Sequence, residues 1–177
     1  MMVINELNIK SKSCECEHWD DLCIVNMTGG TCPHFFDIFE EIRRRGLPYW
    51  WLSVRKCKRC NEHWLVAQDE RTNDIFCLNR LNEKQVNDII EKNVWPVIFD
   101  RYETLLEIAK QNNLCCIFFD PINDSPTTQT IEDLALERPF IKISELSRLL
   151  NINIETTILL SNRVIENNAL VKIIFDV

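Results

Sequence analysis

Two pairs of cysteines are the residues of this chain whose type and spacing best suit a chemical role. Cys57 and Cys60 are the ends of a Cys-Lys-Arg-Cys run, and Cys14 and Cys16 flank a single glutamate far upstream. Two such pairs supply the four thiolates that a closed, tetrahedral zinc site requires. We therefore predict one structural Zn²⁺ held by these four residues. Four other side chains could replace Cys14 or Cys16 as ligands: His18, Cys23, Cys32 and His34.

The downstream pair lies between two apolar, β-prone stretches. Residues 49–56 and 63–68 have the pattern of the two arms of a hairpin, and the cysteines would lie at its tip. Residues 74–79 could add a third strand, and residues 1–13 read as a short strand or arm. A hairpin tip brings two thiolates close to one ion, so this local structure suits the predicted site.

The run Cys57-x-x-Cys60, with Trp64 four residues further on, resembles the knuckle of zinc-ribbon and rubredoxin-like sites. The resemblance implies a structural metal site in the N-terminal part of the chain. Two features depart from the family pattern: the upstream pair is Cys-x-Cys, and Asn61 stands where glycine often follows the second cysteine. Asparagine is among the residues most tolerant of positive φ, so the second departure is mild.

Other kinds of cysteine chemistry have less support. A redox Cys-x-x-Cys pair needs a helix that begins at the pair, and the residues after Cys60 look like a strand. Catalytic zinc needs an open coordination position, which a four-cysteine set does not leave. Cys32 with His34 or His18 lacks an orienting partner, and three glycines cannot build a phosphate loop. We therefore predict that the protein is not an enzyme.

A basic and aromatic stretch accompanies the cysteine hairpin, although the whole chain has a net charge of −7. Its cations and indoles are Arg43, Arg44, Arg45, Trp50, Trp51, Arg55, Lys56, Lys58 and Arg59. Such a stretch could contact a phosphate backbone, with an indole stacked on a base, or it could contact a partner protein. The plainer interpretation is a helix C-terminus followed by solvated hairpin edges, with the two tryptophans divided between core and surface.

Three helices are predicted before residue 112. Pro33 at a first turn, with apolar residues from Phe35 to Ile42, predicts a helix that ends at Gly46. Asn82 is a plausible N-cap for a helix over 83–92, which turns Val86, Ile89 and Ile90 inward. Trp95-Pro96 breaks that helix, and a further one spans 98–111 with one apolar side, formed by Ile98, Phe99, Tyr102, Leu105, Leu106 and Ile108. A buried strand at 115–119 and a linker at 120–126 follow.

The last segment has an order of helices, turn and strand that is known from other proteins. Thr130 begins a helix that ends before Pro139, and helices over 143–150 and 154–167 flank a turn at 151–153. A strand over 170–175 completes the order, which resembles a helix-turn-helix with a wing strand. That likeness implies a small winged-helix core: Leu146, Leu149, Leu150, Ile152, Ile158, Val164 and Ile165. In residues 154–167, Arg163 stands against Glu155 and Glu166, so this helix is poorly charged for DNA.

These features predict an α+β protein with an N-terminal zinc ribbon, a helical middle and a winged-helix-like C-terminal segment. The expected divisions are 1–80, 81–125 and 126–177. Among the 177 residues we find no apolar run of membrane-spanning length and no signal-peptide pattern, so a cytoplasmic location is expected. Nine cysteines in a reducing compartment suit metal ligands and buried thiols better than disulfides.

The functional prediction is a non-enzymatic, zinc-binding module of a bacterial cytosol whose partner is another protein, possibly a basic one because this chain is acidic. In size, charge and missing catalytic residues it resembles the immunity proteins that neutralise toxins in bacterial competition. The alternative is a nucleic-acid-binding transcriptional regulator that uses the basic hairpin face and the helix-turn-helix-like segment. Neither a membrane nor a small-molecule substrate is expected as a partner.

Overall fold

The computed structural model describes residues 14–26, 36–46, 49–69, 71, 74–112 and 124–177. Within them the fold is α+β, as predicted, and is organised around one antiparallel sheet with the strand order β1-β5-β4-β3-β2. The strands of this sheet are β1 (Leu22–Asn26), β2 (Phe39–Arg44), β3 (Leu52–Cys57), β4 (His63–Asp69) and β5 (Ile75–Leu81). The predicted hairpin and third strand are thus confirmed as β3, β4 and β5.

The central strands bury both faces of the sheet, because successive side chains of a strand point to opposite sides. One side, called the helix face, packs against helices and carries Leu52, Val54, Leu65, Ala67, Ile75 and Cys77. The other, called the cysteine face, carries Cys57, Trp64, Val66, Phe76 and Leu78 and also packs against Cys14 and Cys16. The sheet therefore separates a helical core from the core that contains the candidate metal ligands.

Five helices are described: α1 (Glu83–Lys92), α2 (Tyr102–Gln111), α3 (Ser125–Glu137), α4 (Ile143–Leu150) and α5 (Ile154–Asn167). Local capping signals fix several ends. Asn82 forms a capping box with Gln85 at the start of α1, and the Asn153 side chain accepts a hydrogen bond from the Thr156 amide at the start of α5. Asn151 ends α4 in the left-handed region, with φ 53.

The helix predicted to end at Gly46 is wrong. The described part of this segment is a short 3₁₀ turn at Phe36–Ile38 followed by β2, which pairs with β3. The apolar residues do fit one helical face, but the backbone groups at the edge of β3 pair with this segment instead. The register shifts between Glu41 and Arg43, so that Arg43 stands opposite Val54 on the helix face. Gly46, at φ +85, lies two residues beyond the end of β2 at Arg44.

Two details of the middle segment also differ from expectation. Ile90 is 45% exposed, whereas Val86 and Ile89 are buried as predicted. The helix predicted over 98–111 is divided into a 3₁₀ turn at Val97–Phe99 and helix α2. The first helix ends before Trp95-Pro96, because Asn93 adopts the left-handed conformation that closes α1.

The C-terminal order is α3, β6 (Ile141–Lys142), α4, α5 and β7 (Ile173–Ile174). Helix α3 begins at Ser125 with Pro126 in its first turn, so the start predicted at Thr130 is wrong by more than one turn. The predicted final strand is reduced to β7, which pairs with β6 in parallel. Of the seven residues of the predicted small core, Leu146, Leu149, Leu150 and Val164 are buried, and Ile152 and Ile165 pack partly buried against them. Ile158 is half-buried but does not belong to this core.

The zinc-ribbon and winged-helix assignments stay predictions, as does the division at residues 80 and 125. The helix-face core takes side chains from all three predicted segments, including Trp51, Leu105 and Leu160. The predicted N-terminal arm and the strand at 115–119 lie outside the described residues, as does most of the predicted linker. Within the described ranges, none of the helices combines the length and the apolar character that crossing a membrane requires.

Candidate metal centre

The downstream cysteine pair lies in the tight turn between β3 and β4. The Cys57 amide donates to the Glu62 carbonyl at 2.8 Å, and the Asn61 amide donates to the Cys57 carbonyl at 3.0 Å. Asn61 has φ 65, the left-handed conformation that a knuckle requires after its second cysteine. Asparagine thus takes the place of the usual glycine, as the sequence predicted.

The upstream pair lies at the start of one turn of 3₁₀ helix, Glu15–His18, just before β1: Cys14 is the N-cap and Cys16 lies within the turn. The Glu17 amide donates to the Cys14 carbonyl at 3.2 Å, and the Trp19 amide donates to the Cys16 carbonyl at 3.4 Å. Cys14 and Cys16 are 4% and 0% exposed, because the turn packs down on the cysteine face of the sheet. The alternation of buried cysteines with exposed glutamates explains why a Cys-x-Cys spacing suits this turn.

The two pairs come together as the sequence predicted. All four sulfur atoms, those of Cys14, Cys16, Cys57 and Cys60, lie within 4.8 Å of one another, and the Cys14 and Cys57 sulfurs are 3.2 Å apart. Tetrahedral zinc with Zn–S bonds of about 2.3 Å places its sulfur ligands about 3.8 Å from each other. That spacing lies between 3.2 and 4.8 Å, so the cluster could hold one metal ion after small side-chain shifts.

The thiols differ in acidity because they share hydrogen bonds unevenly. Burial opposes ionisation of Cys57, but hydrogen bonds from the amides of Cys60 and Arg59, and from the Cys14 and Cys60 thiols, outweigh it and lower its pKa to about 7. Burial, followed by hydrogen bonds to Cys14 and Cys57, raises the pKa of Cys60 to about 12. The same causes raise the pKa of Cys16. Cys57 is therefore a stronger acid than Cys16 and Cys60, and its sulfur accepts the Arg59 amide at 3.4 Å.

Aromatic side chains pack in the same core as the four cysteines. Trp19 packs edge-on against Trp64, with ring centroids 5.6 Å apart, and lies 6.0 Å from the Phe39 ring. Trp64 is fully buried. Three buried thiols and one partly exposed thiol, Cys60, form a closed set of soft donors. Chemically, such a set suits tight binding of a thiophilic ion and leaves no coordination position for a substrate.

The alternative ligands are not part of the cluster. His18 is exposed on the 3₁₀ turn, and Cys23 lies on β1 opposite Leu78, where burial raises the pKa of its thiol to about 11. Neither belongs to the four-cysteine group, which is the candidate metal-binding group among the described residues. Cys32 and His34 lie outside those residues.

Two arginines of the basic stretch hold other elements of the fold. Arg43 donates to two main-chain carbonyls of α1, each at 2.7 Å, and so satisfies the end of that helix. Arg45 pairs with Asp100, and its guanidinium lies 3.6 Å from the centroid of the Tyr49 ring. The charges of Arg43 and Arg45 are therefore largely used within the protein.

The remaining cations of the stretch differ in their partners. Arg44 and Arg55 both pair with Glu41, at 3.0 and 3.5 Å, and Arg55 is only 9% exposed. Lys58 donates to the Asp37 carbonyl at 3.0 Å. Lys56 and Arg59 form no ion pair within the part of the chain that the structure describes.

The two indoles of this stretch lie inward. Trp51 is 1% exposed and donates to the Phe99 carbonyl at 3.2 Å, which leaves no ring face for a base or a partner. Trp50 is half-buried, and the Arg71 guanidinium lies 3.9 Å from its ring centroid. Trp51 therefore belongs to the helix-face core. Contact of this stretch with nucleic acid or protein stays a prediction.

Sequence reasoning missed Arg80 of β5. Its guanidinium donates to the carbonyls of Cys16 and Trp19, at 2.8 and 2.9 Å, and pairs with Glu62. An isolated arginine in a strand gives no local signal of such contacts, because all three partners are distant in the chain.

Comparison with known proteins returned no match, whether with protein-family models, curated proteins or solved structures.

Proposed function

We propose that this protein binds one structural Zn²⁺ through Cys14, Cys16, Cys57 and Cys60. The observation that supports the proposal is the convergence of four sulfur atoms within 4.8 Å, three of them on buried residues. Four thiolates in a tetrahedron favour zinc or iron, and a closed four-cysteine set is typical of structural zinc. The ion would hold the upstream turn against the hairpin. Because the unfolded chain lacks this site, the free energy of zinc binding would add to the free energy of unfolding.

Elemental analysis tests the metal directly. Protein purified without added metal should contain about one equivalent of zinc per chain. Replacement by Co²⁺ should give the visible absorption of a tetrahedral thiolate site, and a Cys14→Ser variant should lose it. Cys77→Ser is the matched control, because Cys77 is buried on the opposite, helix face. A metal-free folded protein, or one that contains iron, contradicts the zinc proposal.

The wider role that we propose is a non-enzymatic module that binds another protein. Dispersal of Arg43, Arg45 and Arg55 into internal contacts supports a protein partner over a phosphate backbone. The net charge of −7 favours a basic partner. A toxin of a bacterial competition system is one such partner, and immunity proteins share the size, charge and absence of a catalytic set proposed for this chain.

Capture from the native host distinguishes protein from nucleic acid as the partner. Tagged wild-type protein should retain a basic protein, identified by mass spectrometry, and little material that absorbs as nucleic acid. The purified partner should then bind the pure protein with an affinity that falls as salt increases. Retained nucleic acid that survives moderate salt would instead favour the transcriptional-regulator hypothesis.

A further inference from the structure

Arg80 is not a metal ligand, yet it contacts the segment that carries the upstream cysteine pair. Its Nη2 donates to the Cys16 carbonyl at 2.8 Å and to the Trp19 carbonyl at 2.9 Å. Its Nε donates to the Asp21 carboxylate at 3.1 Å, and the Arg80 amide donates to the Asp21 carbonyl at 2.7 Å. One residue of β5 thus fixes the turn from its second cysteine to the start of β1.

The same guanidinium also reaches the downstream pair. Its Nη1 pairs with the carboxylate of Glu62, whose carbonyl accepts the Cys57 amide at 2.8 Å. Glu62 stands two residues after Cys60 and belongs to the knuckle. Arg80 therefore connects the two ligand pairs through contacts that involve no metal.

The orientation of the guanidinium is fixed by the sheet. Arg80 lies opposite Trp64 in the β4–β5 register, and its guanidinium carbon lies 4.4 Å from the centroid of that ring. A planar group with donors in a rigid fork can stack on an indole and still serve several acceptors. Lysine carries the same charge at a single point and cannot reproduce this set of contacts.

We propose that Arg80 is the positioning residue of the metal centre. It holds the upstream turn and the knuckle at the separation that one ion bridges, so that the four thiols are arranged before the ion arrives. Preorganisation lowers the ordering cost of binding, and partners behind metal ligands commonly set metal affinity. This inference rests on the proposed metal-binding function.

Competition with a chromophoric zinc chelator measures the affinity. We expect Arg80→Gln to weaken zinc binding by about 10–100-fold, and Arg80→Lys to weaken it too, since charge alone does not restore the contacts. The matched control is Arg138→Gln. Arg138 is similarly exposed, 29% against 24% for Arg80, and pairs with Glu103 and Glu145 on the helical side. The control should lose thermal stability without loss of zinc affinity.

The contact with Glu62 adds an internal check. Glu62→Gln should weaken zinc binding, and the double variant with Arg80→Gln should weaken it by less than the product of the two single effects, because both changes break the same link. Wild-type affinity in Arg80→Gln, with only a stability loss like that of the control, overturns the role of Arg80.

Two further outcomes are decisive. If Arg80→Gln does not fold, Arg80→Lys decides, and wild-type affinity in that variant overturns the proposal. If the wild-type protein itself binds no zinc, the proposed function fails and this role fails with it. Equal affinities in wild type and variants, by contrast, overturn the positioning role alone.

Discussion

Replacement of Cys60 by serine is the cleanest test of a structural ion. Cys60 is the partly exposed member of the cluster and lies in a turn, so serine removes a thiolate ligand with little change in packing. Cys57, by contrast, is fully buried and accepts the Arg59 amide, so its replacement would also disturb the knuckle. A hydroxyl is a poor zinc ligand beside three thiolates.

The magnitude follows from linkage between binding and folding. An ion that binds only the folded state contributes about 4.1 kcal/mol when its free concentration is 1,000 times Kd. For a chain of this length, 177 residues, 1 kcal/mol shifts Tm by about 2–4 °C. Cys60→Ser should therefore lower Tm by about 8–16 °C at that zinc concentration.

The assay is thermal unfolding in buffers that fix free zinc. Each tenfold reduction in free zinc should lower the wild-type Tm by about 3–6 °C, as long as zinc stays well above Kd. The Tm of Cys60→Ser should not depend on zinc in this range. Cys23→Ser is the matched control: Cys23 is a half-buried cysteine outside the cluster, so its variant should keep the wild-type zinc dependence. A wild-type Tm that is independent of zinc, or a Cys60→Ser variant that keeps the dependence, would refute the reasoning.

Three further predictions concern other parts of the molecule. Tyr102→Phe should destabilise the protein by about 1.5–3 kcal/mol in urea unfolding, because the buried hydroxyl donates to Asp69 at 2.8 Å; an unchanged midpoint would contradict this. Burial raises the pKa of Glu137 from 4.5 to about 7, so the folded protein holds this proton more tightly than the unfolded chain and stability falls as pH rises through that window. Glu137→Gln should therefore raise Tm at a pH above this window and leave Tm unchanged below pH 4.5. Equal gains in Tm at the two pH values would refute the raised pKa of Glu137. Double-stranded DNA should bind weakly and without sequence preference, since residues 154–167 carry little positive charge, and a titration that shows tight, selective, salt-resistant binding would overturn the protein-partner proposal.

The parts of the fold that sequence predicted correctly depend on short-range signals. Asn82 and Asn153 mark helix starts through side-chain caps, and Asn151 marks a helix end through its left-handed backbone. The Cys-x-x-Cys spacing likewise indicates a knuckle, with Asn61 able to adopt positive φ. Each signal lies within a few residues of the feature that it specifies, so one sequence suffices to find it.

The errors arose where distant contacts decide the structure. Residues 39–44 suit a helix by spacing, yet the edge of β3 makes them a strand. The sequence predicts Pro126 in a linker, although proline also suits the first turn of a helix, where it lies in α3. The sequence leaves open which tryptophan of the pair lies in the core, and the sheet decides this by burying Trp51. The link from Arg80 to both cysteine pairs could not be predicted, because it depends on the order of strands in the sheet.

The register shift in β2 makes one surface position dispensable to the pairing of the strand. Ile42 is 38% exposed, so substitution there should be tolerated. Its deletion would restore regular pairing and leave Arg43 opposite Val54 on the helix face, beside the α1 carbonyls that it now satisfies. In a mutational scan, position 42 should therefore accept most side chains and also a one-residue deletion. At this position the edge strand can change its length by one residue without moving the arginine that holds α1.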